Sequence, residues 1–306
     1  MATTLKGQNL RIYTVANKTK VIAMATNCTI TLTGNTEDAT HKDIPDIASA
    51  PEITSKSWQV QVDSLSVADT AAMLTAIKSS TKFKLMWSES SPTNNQTLAS
   101  NDFAREGDAY LSDCTFTFND RENSTKNLTF TGTGAIITAP DHQDDLEVVD
   151  NFAYTKGQYV RMFLCQDHNA GTPNLVVGAA KNLSVHVSVS IENVTTKDTV
   201  SDDDWVSNEP VTLSYDISSS AFVKTDESIT SSVNAHDLDS LETMYEESKP
   251  VQFQIANVSG ANNRTKGSVI MSGKVIITSL VINGPNRETA TYQTTFTGYG
   301  SYTVGS

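Results

Sequence analysis

This chain says much the same thing twice, and that self-similarity constrains its fold more than any other feature. Lys6-Gly7-Gln8 opens a segment that ends at Phe130-Thr131-Gly132-Thr133-Gly134. Lys156-Gly157-Gln158 opens a second that ends at Phe296-Thr297-Gly298-Tyr299-Gly300. Residues 107–134 lie over 273–300 without a gap, with nine identities in 28 positions. Upstream, Arg11 matches Arg161, residues 25–27 fall against 180–182, and Thr40, Lys42 and Asp43 match Thr195, Lys197 and Asp198. The offset runs from 150 to 155, falls to about 153, then jumps to 166, as loop insertions would make it do. Two domains are predicted, 1–139 and 154–306, joined by an acidic linker at 140–153. Each is long enough to bury its own core.

Period-2 alternation dominates both halves. Leu183, Val185, Val187, Val189 and Ile191 alternate with Ser184, His186, Ser188 and Ser190, the pattern of a strand apolar on one face and polar on the other. Cys28, Ile30 and Leu32 among threonines repeat it in the first half. Trp58, Val60 and Val62 lie against Val211, Leu213, Tyr215 and Ile217, an alignment that replaces Trp58 by Val211. Phe83, Leu85 and Trp87 lie against Val251, Phe253 and Ile255. One helix is predicted per repeat. Ser66 caps the first, with Asp69 completing a capping box; Asn234 caps the second, with Asp237 at its third position. The fold class is therefore mainly β: two tandem sandwich or barrel-like domains, each with one flanking α-helix.

The chemistry of catalysis is missing. His41, His142, His168, His186 and His236 share no ligand spacing, and His186 reads as an exposed residue on a polar face. No nucleophile elbow, Cys-x-x-Cys pair or phosphate-cradling glycine loop is present, so neither enzymatic activity nor a cofactor is expected. Asp202, Asp203 and Asp204 offer oxygen ligands for a divalent cation, but a run of carboxylates reads first as solvated surface. Net charge is −13 and Lys and Arg form no stripe, which argues against binding nucleic acid or an anionic membrane. No signal peptide or membrane-spanning run is read. Cys28, Cys114 and Cys165 are too scattered for a disulfide framework, so folding in a reducing cytoplasm is expected.

The order of features is itself informative. A strand and a long polar loop precede Lys56-Ser57-Trp58-Gln59-Val60-Gln61-Val62-Asp63-Ser64-Leu65 and a helix. Gly107-Asp108-Ala109-Tyr110-Leu111-Ser112 and the closing Phe-Thr-Gly-Thr-Gly strand follow. The ordered set resembles the major tail tube proteins of long-tailed bacteriophages over residues 5–138, and over 154–303 through the repeat. The resemblance implies a β-sandwich flanked by a helix, whose subunits join inner sheets into a ring, with rings stacking into a tube for DNA passage. It implies that the long loops reach the next subunit or ring, which assigns inter-ring contacts to Thr40, Lys42 and Asp43 and to Thr195, Lys197 and Asp198. It implies a virion location after assembly in the host cytoplasm. Further implied partners are tape-measure, tail terminator, tail-tip and sheath proteins; DNA would pass without specific binding. Carrying two copies departs from the usual pattern, since most members of the family make rings of six single-domain subunits; three such chains would close the same circle. Two other readings stand beside this one: a two-domain virion binding or adhesion module, and the inner tube of a contractile injection system.

Overall fold

The computed structural model describes residues 6–15, 19–22, 24–40, 49–65, 69–90, 103–138, 146–147, 155–168, 171–178, 180–196, 204–223, 235–259 and 265–305. The fold is mainly β. The first half contains β1 (Leu10–Val15), β2 (Thr19–Val21), β3 (Ala25–Asp38), β4 (Pro51–Ser64), α1 (Thr70–Lys78), β5 (Lys82–Glu89), β6 (Ala104–Asn119), β7 (Thr125–Thr138) and β8 (Leu146–Glu147). The second contains β9 (Val160–Leu164), β10 (Leu175–Val177), β11 (Ala180–Asn193), β12 (Asn208–Phe222), β13 (Ala235–His236), α2 (Leu238–Glu247), β14 (Val251–Ser259), β15 (Thr265–Asn283), β16 (Thr291–Gly298) and β17 (Thr303–Val304).

Antiparallel pairing orders the first half β2-β1-β5-β6-β7-β4-β3. The second half runs β10-β9-β14-β15-β16-β12-β11, the same order. Alternation explains the core. Val60, Val62, Phe116 and Phe130 from one part of the sheet meet Ile12, Leu85 and Trp87 from the other, and all seven are buried in one apolar cluster. The sheet therefore curls over itself, and its other face carries the hydroxyl side chains. Within the stretch expected to be an acidic linker, Leu146–Glu147 pairs in parallel with β2. The rest of that stretch lies outside the described residues.

Irregularities recur at matching positions. The β3–β4 ladder shifts register between Ala25 and Asn27 and between Asn35 and Thr36; β11–β12 shifts between Ala180 and Asn182 and between Ser190 and Ile191. The β6–β7 ladder shifts between Leu111 and Asp113, and β15–β16 between Ile277 and Ser279. Left-handed backbone occurs at Arg121 and Gly134 (φ 62° and 74°) and again at Arg287 and Gly300 (φ 66° and 75°).

Two expectations are corrected. Pairing places Gln59 opposite Thr131 and Asp216 opposite Thr297, so the counterpart of Trp58 is Tyr215 and the offset rises to 157 there instead of falling. The packing agrees. A Cβ on Gly107 or Gly132 would overlap the Trp58 ring, and one on Gly273 or Gly298 would press on Tyr215. The helices also start later than read. Asp69 is the N-cap of α1, and Asp237 caps α2 in a capping box with Ser240. Ser66 and Asn234 lie outside the described residues.

Candidate assembly interface

One strand pair joins the halves. The C-terminal part of β6 pairs antiparallel with β11, from Asp113↔Ser188 to Asn119↔Asn182. Cys114, Phe116 and Phe118 thereby share a fully buried face with Leu183, Val185 and Val187. On the opposite face His186 Nε2 lies 2.5 Å from Asp113 Oδ2. His186 is thus not merely exposed; it bridges the seam.

Backbone on either side extends this seam. Where the chain returns from its second polar loop, Val206 N–H donates to Lys56 O at 3.0 Å, and Gly134 N–H donates to Val206 O at 2.9 Å. Asn208 Nδ2 donates to Gly132 O at 2.7 Å, and the Asn208 amide donates to Thr133 Oγ1 at 2.9 Å. At the other end, a 3-10 turn at Gly157–Tyr159 seats on the β6–β7 hairpin. Gly157 N–H donates to Glu122 O at 3.0 Å, and Ser124 N–H to Thr155 O at 2.8 Å. A Cβ on Gly157 would collide with the Asn119 backbone, so the close approach requires glycine. Beneath, Tyr302 Oη of the second half donates to Leu74 O of α1 at 2.6 Å.

The matching edges are open. Among the described residues only β4 pairs with β3, and residues 276–283 of β15 pair only with β16. Leu32, Val281 and Ile282 on these edges are 63%, 55% and 52% exposed. An unpaired edge with apolar side chains is a template for another strand.

Of the six loop residues predicted to make inter-ring contacts, Thr40 and Thr195 are described; Lys42, Asp43, Lys197 and Asp198 lie outside the described residues. Both threonines close the base of a loop. Thr40 N–H donates to Asp38 Oδ1 at 2.9 Å, and Thr40 Oγ1 accepts from Ala50 N–H at 3.1 Å. Thr195 N–H donates to Asn193 Oδ1 at 2.9 Å, and Thr195 Oγ1 accepts from Ser207 N–H at 2.8 Å. Their recurrence thus has a local cause: each pins the two strands from which its loop leaves. Of the acidic run, Asp204 alone is described, at φ 61°. No group of three or more metal-donor side chains occurs among the described residues.

No family profile and no curated protein matches the chain. Solved structures do. A chain from the tail of an empty gene transfer agent particle matches at 14% identity and TM-score 0.33, covering 49% of this chain and 96% of its own. The SPP1 tail tube matches at 14% identity and TM-score 0.36, over 49% and 78%. A chain from the virion of a native gene transfer agent particle matches at 16% identity and TM-score 0.33, over 50% and 99%.

Proposed function

We propose that this chain is a structural subunit of a virion tail tube, built of two tail-tube-like units (1–139 and 154–306) joined by the acidic stretch 140–153. The observation that carries the reading is the β6–β11 seam together with the open edges of β3 and β15 that match its two members. A unit that joins its own second copy through one pair of edges, and leaves the same pair free at its ends, polymerises head to tail. Such heterologous contacts close into a ring when the rotation per unit divides the circle. Three chains, six units, give a threefold ring of near-sixfold appearance, and stacked rings give a tube. The loops pinned by Thr40 and Thr195 reach toward the neighbouring ring, carrying Lys42, Asp43, Lys197 and Asp198.

The hydroxyl face of the sheet lines the lumen. Segments 27–33, 57–63, 113–117, 127–131, 184–190, 212–218 and 293–297 contain Asp63, Asp113 and Asp216 and neither Lys nor Arg. Such a wall offers phosphate no counter-charge, so DNA slides without sticking. The test is electron microscopy of the purified protein across a concentration series, viewed down the ring axis. Hollow rings of three chains are expected. A monomer at every concentration, with no growth on tail tips, rejects the reading.

A further inference from the structure

We infer that the contact between successive chains repeats the internal seam in a specific register, and that the N-terminal turn at Gly7 is part of it. This rests on the ring reading above. The internal seam supplies the template. Subtracting 155 from each β11 residue and adding 166 to its β6 partner gives the inter-chain pairs: Thr29 with Asn283, Ile30 with Ile282, Thr31 with Val281, Leu32 with Leu280 and Thr33 with Ser279. These offsets are those at which register shifts recur within the halves. The occupant of each edge is therefore a second copy of this chain. The pairing would bury side chains that are now exposed, as Val185, Val187 and Phe116 are buried inside the chain.

Gly7 is the independent observation. The 3-10 turn at Gly7–Asn9 corresponds to the turn at Gly157–Tyr159. Gly157 must be glycine because the Asn119 backbone leaves no room. Gly7 has open space where a Cβ would stand, and its φ lies outside the left-handed region, so the free chain sets no need for glycine there. The need arises if this turn seats on the next chain's Pro285 to Glu288 hairpin, the counterpart of residues 119–122. Gly7 N–H would then donate to the neighbour's Glu288 carbonyl, as Gly157 donates to Glu122.

The two seams differ chemically. The positions of His186 and Asp113 become Thr31 and Ser279, and those of Asn208 and Thr133 become Pro51 and the 54% exposed Tyr299. The inter-chain seam is uncharged where the internal one holds the Asp113 carboxylate and its His186 partner. Its association should therefore vary little with salt.

The experiment uses the full chain. Gly7→Ala should leave the thermal midpoint of the unassembled protein unchanged and slow ring assembly at least tenfold, whereas Gly157→Ala should lower the midpoint. Normal assembly of Gly7→Ala overturns the docking of the turn. Thr31→Cys is then combined with a second cysteine at 279, 281 or 283, and oxidative cross-linking between chains should peak at 281. A peak elsewhere overturns the register but leaves the ring standing. If a cysteine variant fails to fold, hydrogen exchange on the wild type decides: amides of 29–33 and 279–283 should become protected together on assembly, and no protection overturns the seam. Wild-type protein that forms no ring, alone or on tail tips, overturns the ring reading, and the seam with it.

Discussion

Trp58 and Tyr215 fill the same slot with different chemistry. Trp58 Nε1–H donates to Gly134 O at 3.1 Å; Tyr215 Oη donates to Lys274 O at 2.6 Å. Each ring occupies the space left by two glycines, so those glycines are set by packing. Gly132→Ala should destabilise the fold by about 1–3 kcal/mol through overpacking. Gly132→Ala with Trp58→Leu should cost less than the sum of the two single changes, because the cavity accepts the methyl. Denaturant titration of the four proteins checks this, and strict additivity rejects it. Titration adds a second prediction. His236 is 2% exposed; its Nε2–H donates to Cys165 O at 2.9 Å and its Nδ1 lies 3.3 Å from Ser240 Oγ. Burial pushes its pKa down, against the opposing pull of the Cys165 carbonyl and Asp237. A base with a lowered folded pKa resists protonation when folded. Its contribution is thus complete above the unfolded pKa of about 6.5 and is lost as pH falls below that value. The stability of His236→Gln should change less between pH 7.5 and 5 than that of the wild type. An identical pH slope in both proteins sinks the assignment.

Helix α1 shows what pattern reading captures and what it misses. The apolar stripe was legible, and Leu74 and Ile77 are buried. Its cap was not, because the Asp69 side chain makes no capping bond and pairs with Lys126 of β7, 57 residues away. Lys126 is 1% exposed at its side chain, so the pair is buried on one side. Asp69→Ala should cost about 3–5 kcal/mol by leaving that ammonium unpaired, and Lys126→Met in the same chain should recover part of the loss. No recovery would mean the carboxylate acts through the helix alone. Helix α2 is held locally instead, so Asp237→Ala should cost only about 1 kcal/mol. Strand alternation was equally legible, since it depends on neighbours in sequence. The Trp58–Tyr215 match was not, because the two-residue difference lies in a polar loop and only cross-strand pairing resolves it. The β6–β11 seam was hidden for the same reason: it joins strands more than sixty residues apart.

The chain as a unit presents two unlike surfaces. One consists of the open edges, apolar and shaped by the internal seam. The other is the hydroxyl face, which carries Asp63, Asp113 and Asp216 but no cation along its paired segments. If the sheet closes into a ring with that face inward, a cation placed there changes transport without changing assembly. Ser218 of β12 and Thr131 of β7 are on this face, each partly exposed and next to buried neighbours on the opposite one. Ser218→Lys with Thr131→Lys would add two ammonium groups per chain, six to a three-chain ring, to a face that has none; each added ammonium recruits phosphate and releases condensed counterions. Isolated variant rings should therefore retain a short double-stranded DNA at low salt and release it as salt rises, whereas wild-type rings should retain none. Failure of the variant to form rings would place this face against protein instead of DNA. Rings that form normally and still ignore DNA would place it on the outside of the tube.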